Sequence, residues 1–281
     1  MIMQKIAHLF PGQGIQKVGM GKYFSKRVET LLTTEDPKLL ELTWVGPQEE
    51  LNKTINAQPA ITLMQVSLAE DLDKPEIAVG HSLGEYAALW EAGVWDLQTL
   101  YRVVRARGYY MQELCPDGWL MALRNKETAD TVVETFKGKV FYSNINSDRQ
   151  VLIGGLEKDL ENVEAFLKSE RIAYKRIQGN KPFHTPYLEK ASEEFYEFLK
   201  SVPGKNPQFD VYLNIADDVV TDYNQIIELL ARSLANPVDW TRTVAFLGQR
   251  NLDMLVEINL EPLLAKLTSQ KVVLVHEVAS I

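Results

Sequence analysis

Short apolar runs alternate with stretches of helical spacing along most of the chain. The first run, Ile6-Ala7-His8-Leu9-Phe10, stops at Pro11-Gly12-Gln13-Gly14, and a short run bounded by turn residues reads as a buried strand. Helical spacing covers residues 62–72 until Pro75 interrupts it, and Ile77-Ala78-Val79 is a second short strand. The helical repeat resumes over residues 85–92 and again over 97–114, where Pro116-Asp117-Gly118 ends it. Strands and helices alternating in this way predict an α/β fold with a parallel sheet.

From Trp119 to Ile177 the rhythm changes. Strands are expected at 120–123, 140–142, 150–153 and 173–177, with helices at 126–136 and 156–169. This βαββαβ order is that of a ferredoxin-like unit. Beyond it the longer pattern returns, with helices expected over 188–199, 223–235 and 241–250 and strands over 210–215, 254–258 and 272–275. The expected organisation is therefore a large α/β-hydrolase-like part, residues 1–118 and 185–281, carrying a small ferredoxin-like insert, residues 119–184.

Composition narrows the function. The 281 residues are 46% hydrophobic and 24% charged, ordinary for a globular protein with a sizeable core. No apolar run approaches the roughly 18 to 20 residues of a membrane span, and the N-terminal apolar stretch is too short for a secretory signal, so a soluble, cytoplasmic protein without membrane contacts is expected. A net charge of −8 argues against nucleic acid as a partner, since nucleic-acid binders rely on many Lys and Arg. The single cysteine, Cys115, can form no internal disulfide; it precedes Pro116 with no nearby His and reads as a buried thiol. No Cys/His cluster has the spacing of a metal site.

Chemistry concentrates at Gly80-His81-Ser82-Leu83-Gly84, between a predicted strand and a predicted helix. In that setting G-x-S-x-G is a nucleophile elbow: the glycines permit a sharp turn, the Ser82 hydroxyl projects above the sheet, and the Leu83 N–H at the helix start faces a developing oxyanion. Serine needs a base within hydrogen-bond reach, and there are four histidines. His8 and His276 fall in apolar predicted strands and read as core histidines. His81 adjoins the serine on a turn whose neighbours point apart, which suits a structural or pocket-lining role. His184, in Lys181-Pro182-Phe183-His184-Thr185-Pro186, stands where the small unit returns the chain to the large one, over the expected cleft.

These motifs form an ordered series with Phe10-Pro11-Gly12-Gln13-Gly14, Ala57-Gln58-Pro59-Ala60, Glu85-Tyr86-Ala87-Ala88-Leu89, Arg107-Gly108-Tyr109-Tyr110-Met111-Gln112, Asn144-Ile145-Asn146-Ser147 and Asn236-Pro237-Val238-Asp239-Trp240. The series resembles that of malonyl-CoA:acyl-carrier-protein transacylases and polyketide synthase acyltransferases, over nearly the whole chain. The resemblance implies a Ser82–His184 dyad with the histidine held by a main-chain carbonyl, and an oxyanion hole from the Gln13 and Leu83 N–H groups. It implies that Arg107 forks onto the malonyl carboxylate, a contact guanidinium geometry suits better than an ammonium. Arg102, Arg105 and Arg107 share one segment, and only the motif match selects Arg107. Phe183, His81 and Trp119 are expected around the acyl group, Phe183 narrowing the space for an α-methyl.

The implied reaction carries malonyl from malonyl-CoA to an acyl carrier protein, in fatty acid or polyketide synthesis, by a monomer without metal or cofactor. An acyl hydrolase clearing carrier proteins and an idle carrier-protein-binding relative are the alternatives. Lys175, Arg176 and Lys181 are expected to form part of a basic docking face for an acidic carrier. The chain departs from the family pattern at Ser233, where glutamine is common, at Trp119-Leu120, at Glu257-Ile258-Asn259-Leu260, which lacks Gly-Pro, and over residues 23–51. These departures bear on acyl specificity more than on the chemistry.

Overall fold

The computed structural model describes residues 4–177, 179 and 181–280. In chain order the first part comprises β1 (Ile6–Phe10), α1 (Lys26–Glu35), α2 (Pro37–Val45), α3 (Gln48–Asn52), α4 (Thr54–Ala69), β2 (Ile77–Gly80), α5 (Gly84–Glu91) and α6 (Leu97–Glu113). The middle part comprises β3 (Gly118–Leu123), α7 (Lys126–Thr135), β4 (Val140–Ser147), β5 (Gln150–Leu156), α8 (Glu157–Ser169) and β6 (Tyr174–Arg176). The last part comprises α9 (Glu189–Lys200), β7 (Asp210–Leu213), β8 (Asp218–Val219), α10 (Tyr223–Ser233), β9 (Val238–Asp239), α11 (Trp240–Gln249), β10 (Met254–Glu257) and β11 (Val272–Leu274).

Two sheets organise these elements. The larger has the order β11-β10-β1-β2-β7-β8, parallel except for the terminal β7/β8 pair. Its central strands are apolar on both faces because both faces are covered. Ala78 and Phe10 face a core shared with α4, α5, α6, α9 and α10, whereas Ala7, Leu9, Ile77 and Val79 face a second core with Trp240 and Leu247 of α11. The chain leaves β1 towards β2 on one side, while β10 and β11 add on the other. A crevice therefore opens at the carboxyl ends of β1 and β10, where ligands of open α/β sheets bind.

The smaller sheet has the order β6-β3-β5-β4-β9, with β3/β5, β3/β6 and β4/β5 antiparallel. The βαββαβ element order expected from the sequence is present. The sheet also recruits β9, which runs parallel to β4 with Asn144 opposite Val238. Thus the small layer is not built from one continuous segment. Trp119, Met121 and Leu123 point to one side of β3 and join α7 and α8 in a separate core.

Some elements differ from the sequence expectation. Helix α4 starts eight residues earlier than the apolar repeat suggested and passes through Pro59. Proline removes the N–H that would bond the carbonyl four residues back; that carbonyl, Ile55 O, instead accepts from Arg105 Nη1 at 2.9 Å. Helices α1 to α3 lie where no element was expected, each short, and α1 and α2 begin at the side-chain caps Ser25 and Asp36. His276, expected in a strand, lies in a 3₁₀ segment and is exposed.

Candidate active site

Ser82 sits between β2 and α5 with φ 54°, a left-handed conformation rare for a residue with a Cβ. Such strain persists only where surrounding contacts over-determine it. Here the His81 N–H donates to Phe10 O at 2.9 Å, tying the turn to the end of β1. A Cβ on Gly80 would overlap the Gly84 and Glu85 backbone, and one on Gly84 would overlap Phe10 O, so both flanking glycines are required sterically. The Ser82 N–H donates to Asn214 Oδ1 at 3.4 Å, and Asn214 is itself fixed by Thr243 Oγ1 (3.0 Å) and by its N–H donating to Glu85 Oε1 (2.7 Å).

The structure brings His184 beside Ser82. His184 Nε2 lies 2.7 Å from Ser82 Oγ, and His184 Nδ1 lies 2.8 Å from the Ser233 carbonyl oxygen. With Nδ1–H donating to that carbonyl, Nε2 is left as the acceptor for the serine proton. The contact is made by the Ser233 main chain and does not depend on the side chain at that position. Burial, followed by the nearby Arg107 charge, depresses the His184 pKa to about 3. The imidazole is therefore neutral at neutral pH, with Nε2 free to accept a proton.

The three arginines of α6 differ in their surroundings. Arg102 is exposed, and Arg105 is bound to α4 through Ile55 O and to Asp36 at 3.5 Å. Arg107 is 1% exposed, with Nη2 donating to Ser82 Oγ at 3.0 Å and its guanidinium 5.1 Å from the Tyr86 ring centre. Its Nε and the Tyr86 hydroxyl have no partner among the described residues. Glu85 is close enough to feel the Arg107 charge, but burial lifts its pKa to about 8, so at neutral pH it is largely uncharged and leaves the guanidinium un-neutralised. A buried cation without a carboxylate costs several kcal/mol, a cost an anionic ligand would relieve.

These groups line a cavity of about 220 Å³ together with Gln13, Gln58, His81, Asn146, Leu120, Phe183, Leu263, Leu264 and Leu267. It adjoins a larger one of about 660 Å³ that shares Gln13, Leu120, Ile177 and Phe183 and adds Asn52, Lys53, Thr54 and Lys181. Gln13 lies in the loop after β1, which packs so closely on the elbow that a Cβ on Gly12 would come 2.7 Å from His81 O. His81 bonds Asn146 Oδ1 through Nε2 at 2.8 Å and packs on Trp240, which fits a pocket-lining role.

Two expectations require correction. Trp119 is fully buried in the core of the small layer, away from the cavity; strand alternation turns its neighbour Leu120 to the cleft instead. Lys181 and Arg176 are also committed within the chain. Lys181 Nζ donates to Cys115 O (2.6 Å) and to Asp117 (3.0 Å), and Arg176 pairs with Glu157 and stacks 4.3 Å from the Trp119 ring centre. Of that trio Lys175 stands exposed without such a contact among the described residues. Cys115 is buried as expected, its thiol pKa pushed up to about 12 by burial. Sequence reading missed Asn214 and the three leucines, since an isolated asparagine and a leucine-rich loop carry no chemical signature. Among the described residues no group of three or more His, Cys, Asp or Glu is arranged to hold a metal ion.

Comparison with known proteins identifies the family. Residues 7–280 match the family model described as acyl transferase domain. The chain is 32% identical to a malonyl CoA-acyl carrier protein transacylase of Haemophilus influenzae, over 99% of this chain and 97% of the relative. It is 30% identical to a polyketide biosynthesis malonyl CoA-acyl carrier protein transacylase, PksC, of Bacillus subtilis, over 87% of this chain and 89% of the relative. Among solved structures, an acyl-carrier-protein S-malonyltransferase from Burkholderia pseudomallei superposes with a TM-score of 0.89 at 28% identity, covering 99% of this chain and 100% of that one. A type II PKS malonyl-transacylase, solved in complex with its acyl-carrier protein, gives 0.85 at 30% identity, covering 94% of this chain and 92% of that one.

Proposed function

The chain belongs to the acyl transferase domain family, and from that premise we propose that it moves a malonyl group from malonyl-CoA to the phosphopantetheine thiol of an acyl carrier protein through a Ser82 ester. The observation that carries this reading is the buried Arg107 guanidinium, 3.0 Å from the Ser82 hydroxyl and without a carboxylate partner to neutralise it. An acyl group ending in a carboxylate supplies that partner.

The cycle is ping-pong. Ser82 Oγ attacks the thioester carbonyl as His184 Nε2 takes its proton, and the Gln13 and Leu83 N–H groups receive the oxyanion. Collapse of the tetrahedral intermediate breaks the C–S bond, and CoA leaves as the thiol with the proton from His184. The carrier-protein thiol then enters, gives its proton to His184 and attacks the ester carbonyl. Collapse returns the proton to Ser82 and releases malonyl-carrier protein. The outer cavity suits the pantetheine arm, with polar Gln16, Asn52 and Thr54 along its walls. CoA and phosphopantetheine are substrates and no cofactor takes part. The strand order supports reading residues 119–184 as a ferredoxin-like unit on a hydrolase-like sheet. Among the described residues no helix is long and apolar enough to cross a membrane, which is compatible with work in the cytoplasm.

Incubation with radiolabelled malonyl-CoA tests the reading. Stable labelling, abolished by Ser82→Ala and discharged by carrier protein, is the expected result. Rapid release of free malonate would favour the hydrolase, and no labelling would favour an idle carrier-binding relative.

A further inference from the structure

Strand β10 ends at Glu257, whose side chain is fully buried. Its two carboxyl oxygens accept three backbone N–H groups from the loop that follows: Oε1 from Leu263 (2.9 Å) and Leu264 (3.0 Å), Oε2 from Ala265 (2.9 Å). Asn259 adds a second clasp, Nδ2 donating to Glu261 O at 2.8 Å. The loop is thus pinned by two side chains. What it presents is apolar: Leu263, Leu264 and Leu267 all line the Ser82 cavity. Leu263 lines the cavity while remaining 37% exposed, which places it at the rim.

The acyl-enzyme has two fates, transfer to a thiol or attack by water. An apolar wall beside the ester disfavours water and leaves a pantetheine thiol able to enter from the outer cavity. We propose that Glu257 is a positioning residue that seats Leu263, Leu264 and Leu267 as a water-excluding wall, and so sets how the Ser82 ester partitions between transfer and hydrolysis. The inference rests on the malonyl-transfer reading. Glu257 touches neither substrate nor reacting atoms and acts through the loop it holds.

The test compares wild type, Glu257→Gln, Leu263→Ser and Leu263→Ile. In Glu257→Gln the amide oxygen still accepts two N–H groups, but its NH₂ faces the Ala265 N–H, donor against donor. Each protein is malonylated with radiolabelled malonyl-CoA, freed of excess substrate, and divided between buffer alone and buffer with phosphopantetheinylated carrier protein. The ratio of malonate release to transfer is then measured. The expected result is a rise of about tenfold in that ratio for Glu257→Gln and Leu263→Ser, with Leu263→Ile close to wild type. A malonyl-enzyme whose ratio is unchanged in both variants, including one where both rates fall together, would overturn the inference alone. Should Glu257→Gln fail to fold, the rim substitution Leu263→Ser decides by itself. Failure of the wild type to form any malonyl-enzyme would instead overturn the parent reading.

Discussion

Arg107 and His184 are coupled through charge as well as through Ser82. Removing the guanidinium forfeits a charge-assisted, two-pronged contact worth about 1.5–3 kcal/mol per hydrogen bond. Arg107→Ala should therefore lower kcat/KM for malonyl-CoA by roughly 10²- to 10⁴-fold while sparing acetyl-CoA, so that relative rates with the two thioesters reverse. Unchanged malonyl selectivity would refute the role. Because the His184 pKa is depressed to about 3, first by burial and then by Arg107, its basic form persists well below the ordinary histidine value of 6.5. The expected profile of kcat/KM is level from neutrality down to about pH 5 and falls only in more acid solution. Loss of the Arg107 charge lets the histidine hold its proton more tightly, so the acid limb of Arg107→Ala should move to higher pH. A break near 6.5 in both proteins would contradict this account. The meeting of Ser82 with His184 and Arg107 was legible from motif and order, whereas Trp119 was misassigned because a strand presents adjacent residues to opposite faces and the sequence does not say which face is the cleft.

Helices and strands place these side chains by backbone contacts that tolerate no added atoms. At Gly80 a methyl group would overlap backbone of Gly84 and Glu85, which cannot rotate aside. Gly80→Ala is expected to destabilise by more than about 3 kcal/mol, seen as a lowered melting temperature with loss of activity. A retained melting temperature would mean that the elbow relaxes. The close approach of α6 to α4, where a Cβ on Gly108 would come 2.9 Å from Ile55 Cα, delivers Arg107 to the elbow. Arg105 secures that approach by satisfying the carbonyl that Pro59 leaves free. This explains why α4 was only half legible: its apolar repeat identified the helix from residue 62 onward, while the turn around Pro59 depends on a donor 50 residues away in the chain. The short helices α1 to α3 were missed for a related reason. They are held by packing, α2 and α3 against α4 and α1 against α2, and by caps such as Ser25 and Asp36, rather than by a long periodic face of their own.

For the molecule as a whole, a net charge of −8 makes any encounter with an acidic carrier depend on local basic groups. With Lys181 and Arg176 held by intramolecular partners, Lys175 is the member of that edge free to meet a carrier. Lys175→Glu is expected to slow transfer to carrier protein, more so at low ionic strength, while Ser82 acylation by malonyl-CoA proceeds as before. Equal rates at all salt concentrations would exclude Lys175 from the docking face. The α/β class and the βαββαβ order of the small layer could be read from periodicity, which reports local structure. That β9 joins the small sheet could not, because two residues, Val238 and Asp239, carry no periodic signal and their partner in β4 lies far away along the chain.

That two-residue strand has a consequence for anyone recombining acyltransferases. The Ser233 carbonyl that orients His184 lies at the end of α10, only a few residues before β9. Transplanting residues 119–184 from a relative as a cassette would leave behind the edge strand that completes the incoming sheet, and with it the segment that aims the base. A functional chimera would need a second, distant crossover that carries the Ser233 to Trp240 stretch from the same parent.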